Sequence, residues 1–274
     1  MTTHSNALST LATLLLMATT ALSSAANASI VRIETVLGDI EINLYDNATP
    51  ATVANFLDYV QTGAFTESIF HRSSSNFIIQ GGGFVTDMNA ELTAIPANAA
   101  VTNEPVYSNV RGSIAMAKLG NDPNSATSQW FINLSNNNAS NLDSQNGGFT
   151  VFGEVTAGLD VVDLLAALPI FAFAAPFGEL PLQAYTAANF NAGDPPTNNN
   201  LAIVTAITVI DTTVDSAGVA GLTPTPTTAG GGTTGGGGTT GGTTGGGGGG
   251  GSLGIIALLT LIITGGRQAL IRRK

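Results

Sequence analysis

The sequence predicts a mainly β fold, a small closed barrel with helices over its ends, and three observations carry that prediction. Apolar residues between Ser29 and Ile210 fall in many short runs separated by glycine-rich turns. Only two segments of that body carry the three-to-four-residue spacing of an amphipathic helix. The most unusual composition lies outside it: of 34 glycines, 16 fall in the 22 residues Gly230–Gly251, where every other residue is Thr.

The first element is a hairpin. Val31 and Ile33, then Ile40, Ile42 and Leu44, alternate with their neighbours on either side of a turn at Leu37-Gly38-Asp39. A helix follows, with Thr49 as cap and Pro50 at its first position, where a missing N–H costs no hydrogen bond. Val53, Phe56, Leu57 and Val60 make its apolar face, and Gly63 stops it. Further strands are expected at Ser68–Phe70, Phe77–Gln80, Gly112–Met116, Trp130–Asn133 and Val151–Val155. A short helix at Leu159–Leu168 and a last strand at Leu201–Ile210 complete a domain over residues 29–213. Inside it, Pro169–Asn200 sets Phe171, Phe173, Phe177 and Phe190 among Ala, Pro and Asn, and reads as an inserted surface loop packed by its own aromatics.

Both ends read as addresses rather than fold. Residues 1–28 are expected to be a secretory signal peptide: an apolar run at Leu11–Ala18 precedes Ala26-Asn27-Ala28, a cleavage pattern that leaves Ser29 first. Residues 214–251 read as a flexible Thr/Pro and then Gly/Thr linker. Residues 252–274 read as an apolar transmembrane helix with a basic end, Arg267, Arg272, Arg273 and Lys274, which the positive-inside bias places in the cytoplasm. Its uninterrupted part, Leu253–Thr264, has 12 residues, about 18 Å as helix, where a full span takes about 20 residues.

Composition excludes several functions. The body sets 18 carboxylates against four cations, Arg32, Arg72, Arg111 and Lys118. No basic stripe exists to displace counterions from a nucleic acid. The chain has no Cys, and outside the leader its one His is His71. Thiol chemistry, a His-rich metal site and a Ser-His-Asp triad therefore drop out. The expected chemistry uses no metal, no cofactor and no covalent nucleophile.

Two runs concentrate unusual residue types. One is Phe70-His71-Arg72, continuing through Ser73-Ser74-Ser75-Asn76 to Phe77-Ile78-Ile79-Gln80-Gly81-Gly82-Gly83. The other is Gly112-Ser113-Ile114-Ala115-Met116-Ala117-Lys118 with Ser128-Gln129-Trp130-Phe131-Ile132. Strand alternation would separate Phe77, Ile79 and Phe131 from Ile78, Gln80 and Ile132 by the pleat, unless a bulge or bend intervenes. Alternation alone does not say which set lines a pocket.

With Gly38-Asp39-Ile40-Glu41-Ile42, Ala48–Phe56 and Phe149-Thr150-Val151-Phe152-Gly153, these runs resemble the cyclophilin family of peptidyl-prolyl cis-trans isomerases in order and spacing, from about Ile30 to Ile210. The resemblance implies an eight-stranded antiparallel barrel capped by two helices, with a catalytic groove on its outer face. It implies that Arg72 is the catalytic residue, donating to the proline nitrogen as that atom pyramidalises. Phe77, Ile78, Phe131 and Leu142 then match the proline pocket, with Phe149 at its edge. Gln80 and Gln129 match the groups that hold the substrate carbonyl and orient Arg72, and the backbone around Ala117 and Lys118 would pair with the extended peptide. The implied partners are proline-containing polypeptides bound by a monomer. His71 is given a structural hydrogen bond, and Trp130 a place in the barrel interior.

The sequence departs from the eukaryotic pattern of that family at several positions. Ser73–Asn76 replaces an apolar Pro-Gly link, which loosens the approach to Phe77. Ile78 stands where Met is common, and Phe149 where His is. Lys118 replaces Asn and is expected to put a positive charge beside the groove. Asn141 replaces Trp or Phe, which removes one wall of the pocket and should weaken cyclosporin binding. The tail from about residue 245 resembles the GlyGly-CTERM sorting signal of Gram-negative bacteria, a transient membrane anchor cut by a rhombosortase-type protease. The expected location is the periplasmic side of the inner membrane, then the cell surface or the medium. The competing reading of the body is a non-catalytic peptide-binding or surface-display module.

Overall fold

The computed structural model describes residues 29–212. The expected leader with Ala28, the linker at 214–251 and the apolar segment at 252–274 lie outside the described residues. Among the described residues, no helix is long and apolar enough to cross a membrane.

The hairpin forms as the alternation predicts, but its turn is Val36-Leu37, with Gly38 and Asp39 already paired in the second strand rather than turning. Strands β1 (Ile30–Thr35) and β2 (Gly38–Leu44) pair antiparallel, with Val31 opposite Ile42 and Ile33 opposite Ile40. This register puts all four side chains on one buried face. Ser29, just before β1, is also buried, and its backbone N–H donates to Asp46 Oδ2 at 2.7 Å. Helix α1 (Pro50–Gln61) starts after Thr49 as expected, but Thr49 does not cap it with its side chain. Its hydroxyl donates instead to the Tyr45 carbonyl, and the carboxylate of Glu104 accepts from Thr52 N–H at 2.9 Å and Ala51 N–H at 3.3 Å. A carboxylate at a helix N-terminus also complements the dipole.

The remaining elements follow in chain order: β3 (Ser68–Ile69), β4 (Arg72–Ser74), β5 (Ile78–Gly81), β6 (Phe84–Thr86), β7 (Leu92–Ala94), β8 (Ser113–Met116) and β9 (Trp130–Asn133). After them come α2 (Ala139–Leu142), β10 (Val151–Ala157), α3 (Leu159–Ala166), β11 (Ile170–Phe171), β12 (Leu180–Pro181), α4 (Ala187–Ala192) and β13 (Ile203–Asp211). Eleven strands make one antiparallel sheet in the order β4-β5-β9-β8-β10-β2-β1-β13-β3-β6-β7. Residues 68–74 supply β3 to one flank and β4 to the other, so the sheet curls until one chain segment serves both.

The expectation was eight strands in a closed ring; the ladders give eleven, with β4 and β7 at the ends. The difference comes from β4, β6 and β7, of three residues each. Such strands are too short to show a period. The curl encloses Val31, Ile33, Ile40, Ile79, Ile114, Trp130, Ile132 and Phe152, sealed by Val53 and Phe56 of α1 and by Val162 and Leu165 of α3. Trp130 is fully buried there, edge-on to Phe70 at 5.5 Å between ring centroids.

The Pro169–Asn200 segment does stack its own aromatics: Phe171 lies 5.0 Å from Tyr185, and Phe173 lies 5.3 Å from Phe190. It is more than a surface loop, however. Phe177, Leu180 and Leu182 are buried in a second core with Ile69, Phe84 and Ile203 of the main sheet. Full burial of a side chain of this size contributes about 1.5–3 kcal/mol, so the segment is fastened to the domain.

Candidate active site

The strand register settles which face of the two runs looks outward. Arg72 on β4 pairs with Gln80 on β5, Gln80 with Phe131 on β9, and Phe131 with Ala115 on β8. Residues opposed across a ladder share a face, with strands about 4.8 Å apart. Arg72, Gln80, Phe131 and Ala115 therefore form one row across the outside of the sheet, joined by Ile78 and Gln129 two residues away along their strands. Ile79 and Ile132 face inward to the core.

Phe77 has the same parity as Ile79 yet packs on the outer cluster. It escapes the alternation because it lies in a turn ahead of β5, where Asn76 takes a positive φ of 55°. The Ser73–Asn76 link is not loose. Phe77 N–H donates to Ser74 O at 3.0 Å, and the Phe77 carbonyl accepts from Leu134 N–H at 2.9 Å and Asn138 Nδ2 at 2.6 Å.

Ile78, Ala117, Phe131, Leu142 and Phe149 are buried in one cluster with Tyr45 and Val151, and Phe77 packs at its margin. Phe131 and Phe149 meet edge to face at 5.9 Å. Leu142 ends α2, and its carbonyl accepts from Phe149 N–H at 2.9 Å, which ties the far wall together. A polar layer that the sequence reading did not identify backs this wall. Asn138 donates to Asn133 Oδ1 at 2.8 Å, Asn133 to Ser113 Oγ at 2.9 Å, and Asn109 to Asp143 Oδ1 at 3.0 Å. Asn141 is exposed, and an aromatic from elsewhere, Tyr107, packs against the cluster.

Beside the pocket runs a hydrogen-bonded line. Arg72 Nη1 lies 3.4 Å from Gln80 Oε1, and Gln80 Nε2 donates to Gln129 Oε1 at 2.7 Å. Gln129 can come this close because of Gly83: a Cβ there would lie 2.8 Å from Gln129 Nε2. The other edge of the guanidinium is also held. Arg72 Nε donates to Glu179 Oε2 at 2.7 Å, from the inserted segment. No sequence motif pointed to Glu179.

Two neighbours of the line behave differently from ordinary surface groups. His71 is buried edge-on to Phe84, and burial, assisted by Arg72, lowers its pKa to about 4. It is neutral at pH 7 and has no exposed face for proton transfer. Lys118 is a buried cation beside the apolar cluster. Its Nζ lies 4.6 Å from the ring of Phe149 and donates to the carbonyls of Gly148 at 2.6 Å and Asn146 at 2.9 Å. Burial pushes its pKa down to about 8. Beside Gln129 lies a cavity of about 310 Å³, lined by Lys118 itself with Asn98, Ala117, Leu119, Asp122 and Ser125 among others.

A curled antiparallel sheet that sets an oriented cation in line with a buried apolar cluster holding two rings, Phe131 and Phe149, defines the class of this site. Comparison with known proteins gives this class its family. Residues 30–183 match the family of cyclophilin-type peptidyl-prolyl cis-trans isomerases/CLD. A peptidyl-prolyl cis-trans isomerase of Acinetobacter baylyi is 45% identical over 141 residues, 52% of this chain and 73% of that protein. The peptidyl-prolyl cis-trans isomerase cyp18 of Streptomyces antibioticus is 45% identical over 140 residues, 50% of this chain and 82% of that protein. Peptidyl-prolyl cis-trans isomerase B of Escherichia coli is 43% identical over 129 residues, 46% of this chain and 77% of that protein. The chain belongs to the cyclophilin-type peptidyl-prolyl cis-trans isomerase family.

Proposed function

We propose that this protein is an exported prolyl isomerase that speeds X-Pro isomerisation while secreted or surface proteins fold, with Arg72 as its catalytic residue. The observation that carries the reading is the row Arg72–Gln80–Phe131, with the guanidinium held by Glu179 and Gln80 at one end and the buried ring of Phe131 at the other. Rotation about X-Pro is slow because amide resonance gives the C–N bond partial double-bond character. A proline ring seated against Phe131, Phe77, Ile78 and Leu142 fixes one side of that bond. Arg72 then donates toward the proline nitrogen, whose lone pair leaves conjugation only in the twisted state. The gain is specific to that state, which is what lowers a barrier.

Gln80 and Gln129 hold the preceding carbonyl, and the backbone at Ala117 and Lys118 pairs with the peptide. The reaction needs no metal or cofactor. Export rests on the leader pattern that ends at Ala28, and delivery to the periplasmic face and then the surface rests on the basic-ended apolar tail.

The test is an isomerisation assay on a proline peptide with wild type and Arg72→Ala. A loss of about 100-fold or more in kcat/KM is expected from removing one such electrostatic group. Equal activity in the two proteins would reject Arg72 as the catalytic group. Intact-mass measurement on protein from the producing cell tests processing at both ends, and a surface fraction retaining residues 252–274 would reject the transient anchor.

A further inference from the structure

The inserted segment reaches the groove at one residue. Phe177, Leu180 and Leu182 anchor it in the second core, and Ser73 N–H donates to the Glu179 carbonyl at 2.9 Å. Glu179 is thereby fixed against β4, the edge strand that carries Arg72. Its carboxylate takes the Nε edge of the guanidinium at 2.7 Å. The Arg72 side chain is only 8% exposed and that of Glu179 32%, so the guanidinium end of the pair is the one shielded from solvent.

An arginine side chain has several rotatable bonds and gives up rotamer freedom when ordered. Gln80 alone, at 3.4 Å, is a weak restraint on it. Of the five N–H donors of a guanidinium, Glu179 engages one on Nε and Gln80 one on Nη1. The remaining donors are left for the groove. The carboxylate therefore grips the group from behind without occupying the edge that meets substrate.

We propose that Glu179 is the positioning residue of Arg72, and that the inserted segment serves to deliver it. The proposal rests on the catalytic reading of Arg72, and the experiment separates the two. Full-length wild type, Glu179→Ala, Glu179→Gln, Arg72→Ala and the Arg72→Ala/Glu179→Ala double variant are compared for kcat and KM on one proline peptide. Glu179→Ala should lower kcat about tenfold with KM within about twofold, because a misaimed donor loses transition-state contact and not peptide binding. Glu179→Gln keeps an acceptor for Nε and should recover kcat to within about threefold of wild type. In the Arg72→Ala background, removing Glu179 should change kcat by less than about twofold, since the two act through one group.

The Arg72 Nε–H resonance of isotope-labelled protein supplies a readout that does not depend on turnover. It should be shifted and slowly exchanging in wild type and Glu179→Gln, and lose both features in Glu179→Ala. If Arg72→Ala loses activity while Glu179→Ala keeps full kcat, the positioning role fails and catalysis by Arg72 stands. If Arg72→Ala itself stays active, the catalytic reading fails first. A rise in kcat for Glu179→Ala, or an equal loss in the Arg72→Ala background, would also overturn the proposal.

Discussion

His71 converts burial into a pH dependence of stability that can be measured. An imidazole in the unfolded chain titrates near 6.5, whereas in the fold burial, with the Arg72 cation beside it, brings the value to about 4. The folded state therefore binds fewer protons than the unfolded state between those values, and stability falls as the pH drops through that window. The slope from this residue fades above pH 6.5 and is nearly gone by pH 7.5. The full difference is about 3 kcal/mol, of which about 2 kcal/mol should be lost by pH 5.

The perturbation is His71→Phe, which keeps a ring against Phe84, 5.2 Å away in the wild type, and removes the titration. Any cost of fitting the larger ring is the same at each pH and cancels from the slope. Urea titrations at pH 7.5 and pH 5 give the comparison. With a urea slope of about 2 kcal/mol per molar, the wild-type midpoint should fall about 1 M further than the variant's. Carboxylates titrate in both proteins alike, so only the difference reports on His71. Equal falls in the two proteins would refute the argument and mean that His71 keeps its proton inside the fold.

Three further outcomes follow from the geometry. Lys118→Met should leave the carbonyls of Asn146 and Gly148 without their donor, costing about 2 kcal/mol and lowering Tm by about 4–8 °C; calorimetry checks it, and an unchanged Tm would show that water replaces the amine. Gly158 starts α3 at φ 80°, where an added Cβ would run into the Asp39 carbonyl oxygen, so Gly158→Ala should destabilise by about 2–4 kcal/mol in a urea titration. Asn141→Trp restores an aromatic beside Leu142 and should tighten cyclosporin about tenfold or more in an inhibition titration, while leaving kcat/KM on a short peptide within about threefold.

The legibility of the fold and site in the sequence depended on how far apart in the chain the contacts lie. The β1–β2 hairpin could be read because its partners are joined by a two-residue turn, and β9 because its four apolar and polar residues form one uninterrupted run. Three-residue strands such as β4 carry no period of their own, and become strands only because a neighbour offers a ladder. The residues of the groove were legible as types, yet their shared face was not. Gln80 and Phe131 come to one side only through the β5–β9 register, which joins residues about 50 apart in the chain.

Charge was the least legible feature, because its effect depends on where a long side chain points. Lys118 was legible as a cation beside the groove, but not as one that is buried and closes the 146–148 turn. Gln80 and Gln129 were legible as partners of Arg72, but its shortest contact is to a residue 107 positions away, in a stretch that reads as a plain insertion. That asymmetry has a physical basis. The chemistry of amide rotation asks for residue types at fixed spacing along two strands, and such spacing is written locally. Holding one cation still asks only for a carboxylate at the right point in space, which a segment from anywhere in the chain can bring once apolar anchors such as Leu180 and Leu182 have fixed its path.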